Sequence, residues 1–209
     1  MLVMIDNHQQ LLINKEKIMK KKIGIYLFEE YADWEIAYLS PEINKNEQFE
    51  LIYISKNKSH IKSQGGLSIM PNRLLSDIKA DDLDMIILPG GEAWGRNENR
   101  EIDSLVLEMN DKSKNIAAIC GATAYLSRLG LLDNVKHTSN DITYLKWITP
   151  EYSADNNYIS TPAVSDKNII TAGGVFPIEF SKEIFKKIEL KSDEDLENWF
   201  QLFKNGIWK

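Results

Sequence analysis

The sequence contains few of the residues on which disulfide-bonded, metal-binding and nucleic-acid-binding proteins depend. Of its 209 residues one is cysteine and three are histidine. A single cysteine excludes an intramolecular disulfide, and no cysteine–histidine pair has the spacing of a zinc site. The net charge of −6 favours neither nucleic acid nor an anionic membrane as a partner. We therefore expect no metal, no cofactor, and neither a nucleic-acid nor a membrane partner. The expected compartment is a reducing cytoplasm.

Long apolar runs and a glycine-rich phosphate loop are also lacking. The apolar run near the N-terminus, 11–13, is too short to span a membrane, and its flanks lack the layout of a signal peptide. The first strand pattern begins after Met19. We predict that residues 1–20 are an appended arm and that residues 21–209 form a single domain ending in a helix.

What the sequence does contain is a regular alternation of strand and helix patterns. Strand patterns lie at 21–28, 49–55, 83–91, 115–120 and 135–140, with a hairpin at 163–172, and helical patterns at 32–45, 98–113, 122–133 and 176–188. Continuous apolar strands alternating with helices indicate a mostly parallel sheet covered on both faces. Ligands bind such sheets beyond the carboxyl ends of the strands. Three features meet there: the acidic segment FEEYADWE, the segment LPGG, and the cysteine.

Cys120 lies at a predicted strand-to-helix turn and is flanked by small residues, Ala118, Gly121 and Ala122. A nucleophile elbow needs small neighbours because its backbone is strained, and the following helix N-terminus favours a thiolate. The alternative is a buried cysteine that acts as a small hydrophobic residue. The strand, the small flanks and the helix together favour the elbow.

Gly90 and Gly91 end the preceding strand, where backbone N–H groups can approach a ligand and form an oxyanion hole. The alternative is a tight loop with no further role. Trp94 follows them, either as a wall of the pocket or in ordinary helix–sheet packing.

At these residues the chain resembles the ThiJ/PfpI family of the class I glutamine-amidotransferase-like superfamily. The resemblance runs from about residue 21 to 190 and rests on IILPGG, on AICGA roughly thirty residues later, and on ITAGG-x-x-P-x-EF. It implies a flavodoxin-like three-layer sandwich, a mostly parallel central sheet with helices on both faces. It also implies a homo-oligomer, a dimer or larger. The family includes peptidases, amidases, glyoxalase- or deglycase-like proteins, isonitrile hydratases, chaperones and oxidation sensors.

The resemblance also implies a glutamate after the first strand, where a protonated carboxyl can hydrogen-bond the thiolate. Aligning FEEYADWE with the family's acidic turn puts Ala32 at that position, between Glu30 and Asp33. We predict Asp33 as the substitute acid and Glu30 and Ala32 as pocket residues. The alternative for Asp33 is an acid in the first turn of a helix, where it complements the helix dipole.

The resemblance further implies a histidine, either directly after the cysteine or about twenty residues later, where this chain has Gly121 and Asn140. The alternation of a strand puts Thr138 and Asn140 on one face and His137 on the other. If Asn140 faces Cys120, His137 points away. A register slip or a bulge would reverse this, so His137 remains a catalytic candidate beside a structural one. Thr138 is predicted to line the pocket.

Three functional hypotheses follow from these residues. The first is a cysteine hydrolase of the peptidase or amidase type, acting on a small molecule or peptide, with Cys120 as nucleophile and the Gly91 and Gly121 N–H groups as oxyanion donors. The second is a stress-responsive protein whose cysteine reacts with oxidants or electrophiles such as aldehydes. The third is a non-catalytic ligand-binding protein. A base and an acid within hydrogen-bond reach of Cys120 would favour the first.

Overall fold

A computed structural model describes residues 20–208. The predicted arm, apart from Lys20, lies outside the described residues. The division into an arm and one domain stays a prediction.

The centre of the molecule is a seven-stranded sheet, which confirms the predicted flavodoxin-like α/β class. The strands in chain order are β1 (Lys21–Tyr26), β2 (Phe49–Ser55), β3 (Ile61–Lys62), β4 (Ser68–Ile69), β5 (Arg73–Leu74), β6 (Met85–Leu88), β7 (Asn115–Ile119), β8 (Ala163–Asp166) and β9 (Ile169–Ala172). Their order in the sheet is β5-β2-β1-β6-β7-β9-β8, while β3 and β4 form a separate hairpin. All pairs in the large sheet are parallel except β8 with β9. The carboxyl ends of β1, β6 and β7 therefore meet at one edge.

Seven α-helices are assigned in the described residues, and they cover the sheet. They are α1 (Leu39–Asn44), α2 (Glu92–Gly95), α3 (Asp103–Asp111), α4 (Gly121–Arg128), α5 (Ile142–Ile148), α6 (Pro177–Ile188) and α7 (Asp193–Asn205). Helices α3 and α4 pack on β7, while α6 packs on β8 and β9 and against α1 and α7. Strands β6 and β7 are apolar and almost wholly buried, as parallel strands covered on both faces must be.

The structure differs from the predicted elements at three places. The helix predicted at 32–45 is a short 3-10 turn (Asp33–Glu35) followed by α1, which begins two residues before Pro41. The helix predicted at 98–113 starts with a 3-10 turn (Arg100–Ile102) before α3. Residues 135–140 form an irregular segment with a single bridge between His137 and Tyr158, in place of the predicted strand. Each difference lies at an element's end or in a segment without a full strand partner.

Candidate active site

Cys120 occupies the turn between β7 and α4 in a strained backbone conformation. Its φ is 57° and its ψ −124°, a combination that costs free energy for a residue with a side chain. The turn is held from both sides: the Cys120 N–H donates to the Ala172 carbonyl at 3.0 Å, and the Thr123 hydroxyl donates to the Cys120 carbonyl at 2.6 Å. These are the features of the nucleophile elbow expected from the sequence.

Two glycines leave the space that the thiol needs. A Cβ on Gly90 would stand 2.6 Å from the Cys120 Cβ, and one on Gly174 would stand 2.8 Å from its Sγ. Both approaches are shorter than any ordinary carbon contact, so larger residues at either place would displace the thiol or its surroundings. Gly90 ends the β6 loop, and Gly174 follows β9, so both neighbouring strands close around the elbow.

Glu35 is the carboxyl that the fold places beside this thiol. Its side chain is fully buried, and its Oε2 accepts a hydrogen bond from the Gly90 N–H at 2.5 Å. Its other oxygen, Oε1, accepts no hydrogen bond from a nitrogen or oxygen donor in the described residues. The Cys120 Sγ and Glu35 Oε1 both lie within 3.0 Å of the point where a Cβ on Gly174 would stand. The free carboxylate oxygen therefore faces the thiol.

The two groups change each other's protonation. Burial raises the pKa of Glu35 to about 7, although the Gly90 N–H and the thiol both lower it. Burial, and then the negative charge of Glu35, raise the pKa of Cys120 to about 11, although the Asn140 amide and the Gly121 N–H lower it. Near neutral pH the pair thus holds one proton between a carboxylate and a thiol, and its first proton is lost close to pH 7.

Asn140 faces the sulfur from the other side. Its amide Nδ2 donates toward the Cys120 Sγ at 3.4 Å, while its Oδ1 accepts from the Gly174 N–H at 2.8 Å. The second bond fixes the amide so that its N–H group points into the site. Of the two arrangements that the alternation argument left open, the structure has the one in which Asn140 faces Cys120.

His137 points away from the thiol into a pocket of its own. It is fully buried, and its two ring nitrogens bond to the Val135 carbonyl and the Tyr152 hydroxyl, each at 2.8 Å. The rings of Tyr152 and Tyr158 pack edge-on against the imidazole. Both nitrogens are occupied, so the catalytic candidacy of His137 is not supported by its placement.

The acidic segment before Glu35 is arranged differently from the sequence prediction. Asp33 turns away from Cys120, because its carboxylate accepts hydrogen bonds from the Ser63 hydroxyl and the Gly65 N–H. Glu30 is exposed with a φ of 60°, and the buried Ala32 donates its N–H to the Gly90 carbonyl at 2.9 Å. Glu35, and not Asp33, is thus the acid at the thiol, and Glu30 lies outside the pocket.

Of the remaining predicted residues, Gly121 contacts the thiol through its N–H, and the others surround the site without lining it. The Gly90 N–H is occupied by Glu35, so it is not free to bind an oxyanion. Trp94 is buried behind the elbow, and its indole N–H donates to the Pro89 carbonyl at 2.8 Å. Thr138 is buried too, and its hydroxyl donates to the Thr161 carbonyl. The Gly91 carbonyl lies 2.8 Å from the point where a Cβ on Gly121 would stand, so the two glycines let their loops meet.

A cavity of about 320 Å³ leads from the thiol to solvent. Its floor is polar and its mouth apolar, and it is lined by Trp34, Glu35, Cys120, Asn140, Gly173, Gly174, Val175 and Phe176. Trp34 and Val175 are 48% and 81% exposed at the mouth.

No group of side chains in residues 20–208 has the composition of a metal site. Nor is any helix of these residues long and apolar enough to cross a membrane.

Comparison with known proteins agrees with this architecture. The model of the DJ-1/PfpI family matches residues 21–187, most of the chain. The chain belongs to the DJ-1/PfpI family. A Bacillus subtilis relative named "Uncharacterized protease YoaZ" is 38% identical over 191 residues, which cover 88% of this chain and 91% of that protein.

Two further relatives bear on fold and chemistry. The crystal structure of a ThiJ/PfpI family protein from Bacillus anthracis is similar with a TM-score of 0.84 and 35% identity, covering 90% of this chain and 92% of the other. A Pyrococcus furiosus protein named "Deglycase PfpI" is 28% identical over 140 residues, covering 63% of this chain and 84% of its own. Relatives in this family thus carry protease and deglycase names.

Glu35 is the site residue that sequence reasoning missed. A signal for it existed: Tyr31, Ala32, Glu35, Ile36 and Leu39 form a buried stripe at helical spacing, and the glutamate is its one charged member. A carboxyl inside an apolar stripe needs a reason to be buried. Here that reason is its contact with Cys120.

Proposed function

We propose that the protein is a cysteine-dependent hydrolase of the peptidase or amidase type, with Cys120 as nucleophile and Glu35 as its general base. The observation that carries the proposal is the buried carboxyl whose free oxygen faces the thiol and whose pKa is raised to about 7. A general base is most effective when its pKa lies near the working pH. One group with such a pKa can both take and return a proton.

The proposed reaction needs no further titratable group. Glu35 takes the thiol proton as Cys120 Sγ attacks the substrate carbonyl, and the tetrahedral oxygen becomes an anion. Protonated Glu35 then gives the same proton to the leaving amine, and a thioester remains on Cys120. Glu35 then takes a proton from water as the water oxygen attacks the thioester; the C–S bond breaks, the acid is released, and Glu35 returns the proton to the Cys120 sulfur. Because Glu35 performs every proton transfer, the reaction requires no histidine near the thiol.

The oxyanion has two candidate donors. The Asn140 amide is fixed by Gly174 so that its N–H group points toward the sulfur. The Gly121 N–H lowers the pKa of the thiol and stands at the start of α4. Donors held in place before the reaction stabilise developing charge most effectively. Loss of one such donor typically costs about 10² to 10³ in rate.

A second candidate function is addition of Cys120 to a small reactive carbonyl compound. It is favoured by the small cavity of about 320 Å³ and by the deglycase names of several relatives. In that reaction the thiol adds to an aldehyde, and the proton moves through Glu35 to the new hydroxyl. A panel that offers p-nitroanilides, p-nitrophenyl esters and methylglyoxal separates the two candidates.

The pH dependence of Cys120 alkylation by iodoacetamide tests the shared base. In the wild type, loss of the first proton near pH 7 leaves a Glu35 carboxylate that can take the thiol proton as the sulfur attacks, so the alkylation rate should rise in a step there and again far above it, where the thiol itself ionises. Glu35→Gln should remove the lower step and lower the turnover of any substrate found by about 10² or more. Cys120→Ser is the control for both the alkylation rate and the turnover.

A wild-type profile without a step near neutral pH, unchanged in Glu35→Gln, would contradict the role of Glu35. A normal lower step with no turnover of any substrate in the panel would leave Cys120 activated but argue against both reactions.

A further inference from the structure

The turn that carries Glu35 has little stability of its own. It is a 3-10 turn of three residues, Asp33–Glu35, and its N-cap residue Ala32 provides no side-chain cap. Its closing backbone hydrogen bonds measure 3.3 to 3.5 Å, at the weak end of the range. The hydrogen-bond geometry of a 3-10 turn is poorer than that of an α-helix, so contacts outside the turn contribute to its position.

Burial of the Glu35 carboxyl destabilises this turn. Its carboxyl is buried with one oxygen unbonded by any N–H or O–H group of residues 20–208. An ionised carboxylate in that position gains free energy by turning out to water. Gly90 holds the turn at its two ends, through its N–H to Glu35 Oε2 at 2.5 Å and through its carbonyl to the Ala32 N–H at 2.9 Å, and the first residue of the turn, Asp33, has a contact of its own.

The tip of the β3–β4 hairpin provides such a contact. The Ser63 hydroxyl donates to Asp33 Oδ2 at 2.7 Å, and the Gly65 N–H donates to Asp33 Oδ1 at 3.3 Å. Ser63 is itself buried and fixed, since its oxygen also accepts the Leu67 N–H at 3.0 Å. Asp33 is the first residue of the turn and stands two residues before Glu35.

The fit at this contact is close. A Cβ on Gly65 would stand 2.2 Å from Asp33 Oδ2, so no larger residue leaves the carboxylate where it is. The hairpin is also tied to the preceding segment by Glu30 N–H to the Lys62 carbonyl at 2.8 Å and Gln64 N–H to the Tyr31 carbonyl at 3.0 Å. These two bonds hold residues before the turn, whereas Asp33 holds the turn.

We propose that Asp33 is a positioning residue: its hydrogen bonds to Ser63 and Gly65 hold the turn that keeps the Glu35 carboxyl against Cys120. The inference rests on the proposed role of Glu35. It gives Asp33 a role in the reaction without contact with the thiol or the substrate. It also makes the β3–β4 hairpin, which lies outside the main sheet, part of the active site's support.

The test is the pH profile of Cys120 alkylation in three variants of the contact. Asp33→Ala should lose the step near pH 7 and match Glu35→Gln, and the double variant should equal Glu35→Gln alone. Gly65→Ala should have the same effect with no change in charge, because its methyl displaces the Asp33 carboxylate. Asp33→Asn keeps an acceptor for Gly65 and a polar group for Ser63, so it should retain most of the step.

The matched control is Gln64→Ala at the same hairpin tip, which removes an exposed side chain and keeps the backbone bonds. Its profile should equal that of the wild type. Thermal unfolding of every variant shows whether the fold is intact, and the remaining hairpin bonds lead us to expect that it is.

The outcomes separate the two proposals. If Glu35→Gln leaves the profile unchanged, the proposed function fails and the inference fails with it. If Glu35→Gln removes the step but folded Asp33→Ala and Gly65→Ala retain it, the positioning role alone is overturned. Additive effects of Asp33→Ala and Glu35→Gln would overturn it too, because they would mean that Asp33 acts by another route.

Discussion

Two buried polar clusters in this molecule differ in how fully their polar groups are hydrogen-bonded. The first is the Cys120–Glu35 pair, and the second is His137 with Tyr152. His137 has both ring nitrogens bonded and two tyrosine rings packed against it. The pair has a strained backbone at Cys120 and a carboxylate oxygen bonded by no N–H or O–H group in the described part of the chain. A satisfied polar cluster stabilises a fold, whereas an unsatisfied one needs a function to explain it.

The two clusters also respond to pH in opposite directions. The pKa of Glu35 is raised in the folded state, so the stability linked to it is fully present below pH 4.5 and is lost as the pH rises through about 7. Burial lowers the pKa of His137, so the stability linked to it is lost as the pH falls below the ordinary value of 6.5. Measurements of unfolding against pH can therefore separate the two regions.

The largest expected effect is on the first cluster. Glu35→Gln keeps the acceptor for the Gly90 N–H and removes the buried charge, so it should stabilise the protein at pH 8. A shift from 4.5 to about 7 corresponds to roughly 3 kcal/mol in the free energy of unfolding. Urea unfolding of the variant and the wild type at pH 8 and at pH 5 measures this difference in the free energy of unfolding. The stabilisation by Glu35→Gln should be much smaller at pH 5.

The control for this prediction is a second buried glutamate. Burial alone would raise the pKa of Glu42, but Lys191 and Lys45 lower it. Glu42→Gln should therefore destabilise the protein at pH 8, opposite in sign to Glu35→Gln. If both variants destabilise the protein, the Glu35 carboxyl is held by favourable contacts and the contrast between the clusters is wrong.

The second prediction concerns the satisfied cluster. A ring nitrogen facing a carbonyl must carry the proton, so Nδ1 of His137 donates to Val135 and Nε2 accepts from the Tyr152 hydroxyl. Tyr152→Phe leaves that buried acceptor unpaired and should cost about 2 kcal/mol of stability. The alkylation profile of Cys120 should not change.

Tyr158→Phe is the matched control, since the Tyr158 ring packs on His137 and its hydroxyl does not bond to it. It should cost less than Tyr152→Phe. A change in the Cys120 profile in either variant would show that the two clusters are coupled.

The sequence predicts the fold and the position of Cys120 well because both depend on repeated patterns. Continuous apolar strands determine the parallel sheet, and small residues around Cys120 mark the elbow. Alternation predicts that Asn140 and His137 lie on opposite sides, as they do even though residues 135–140 do not form a strand, but it does not choose which of them faces Cys120. These signals extend over several residues and survive local irregularity.

The acid at the thiol could not be chosen by the same reasoning. Segment FEEYADWE has four carboxylates within seven residues, and a 3-10 turn decides which of them faces inward. That turn is set by contacts distant in sequence, from Gly90 and from Ser63. The sequence alignment therefore put the acid position at Ala32, whereas the acid at the thiol is Glu35, three residues later.

The smallest expected effect concerns the side-chain hydrogen bonds that support the strained turn at Cys120. The Thr123 hydroxyl donates to the Cys120 carbonyl at 2.6 Å and lies 2.6 Å from the Ser139 hydroxyl, next to Asn140. Thr123→Val removes both bonds and should cost about 1 kcal/mol of stability. Thr123→Ser keeps the hydroxyl and should cost less. If the serine variant is as unstable as the valine variant, packing of the Thr123 methyl group, and not its hydroxyl, supports the elbow.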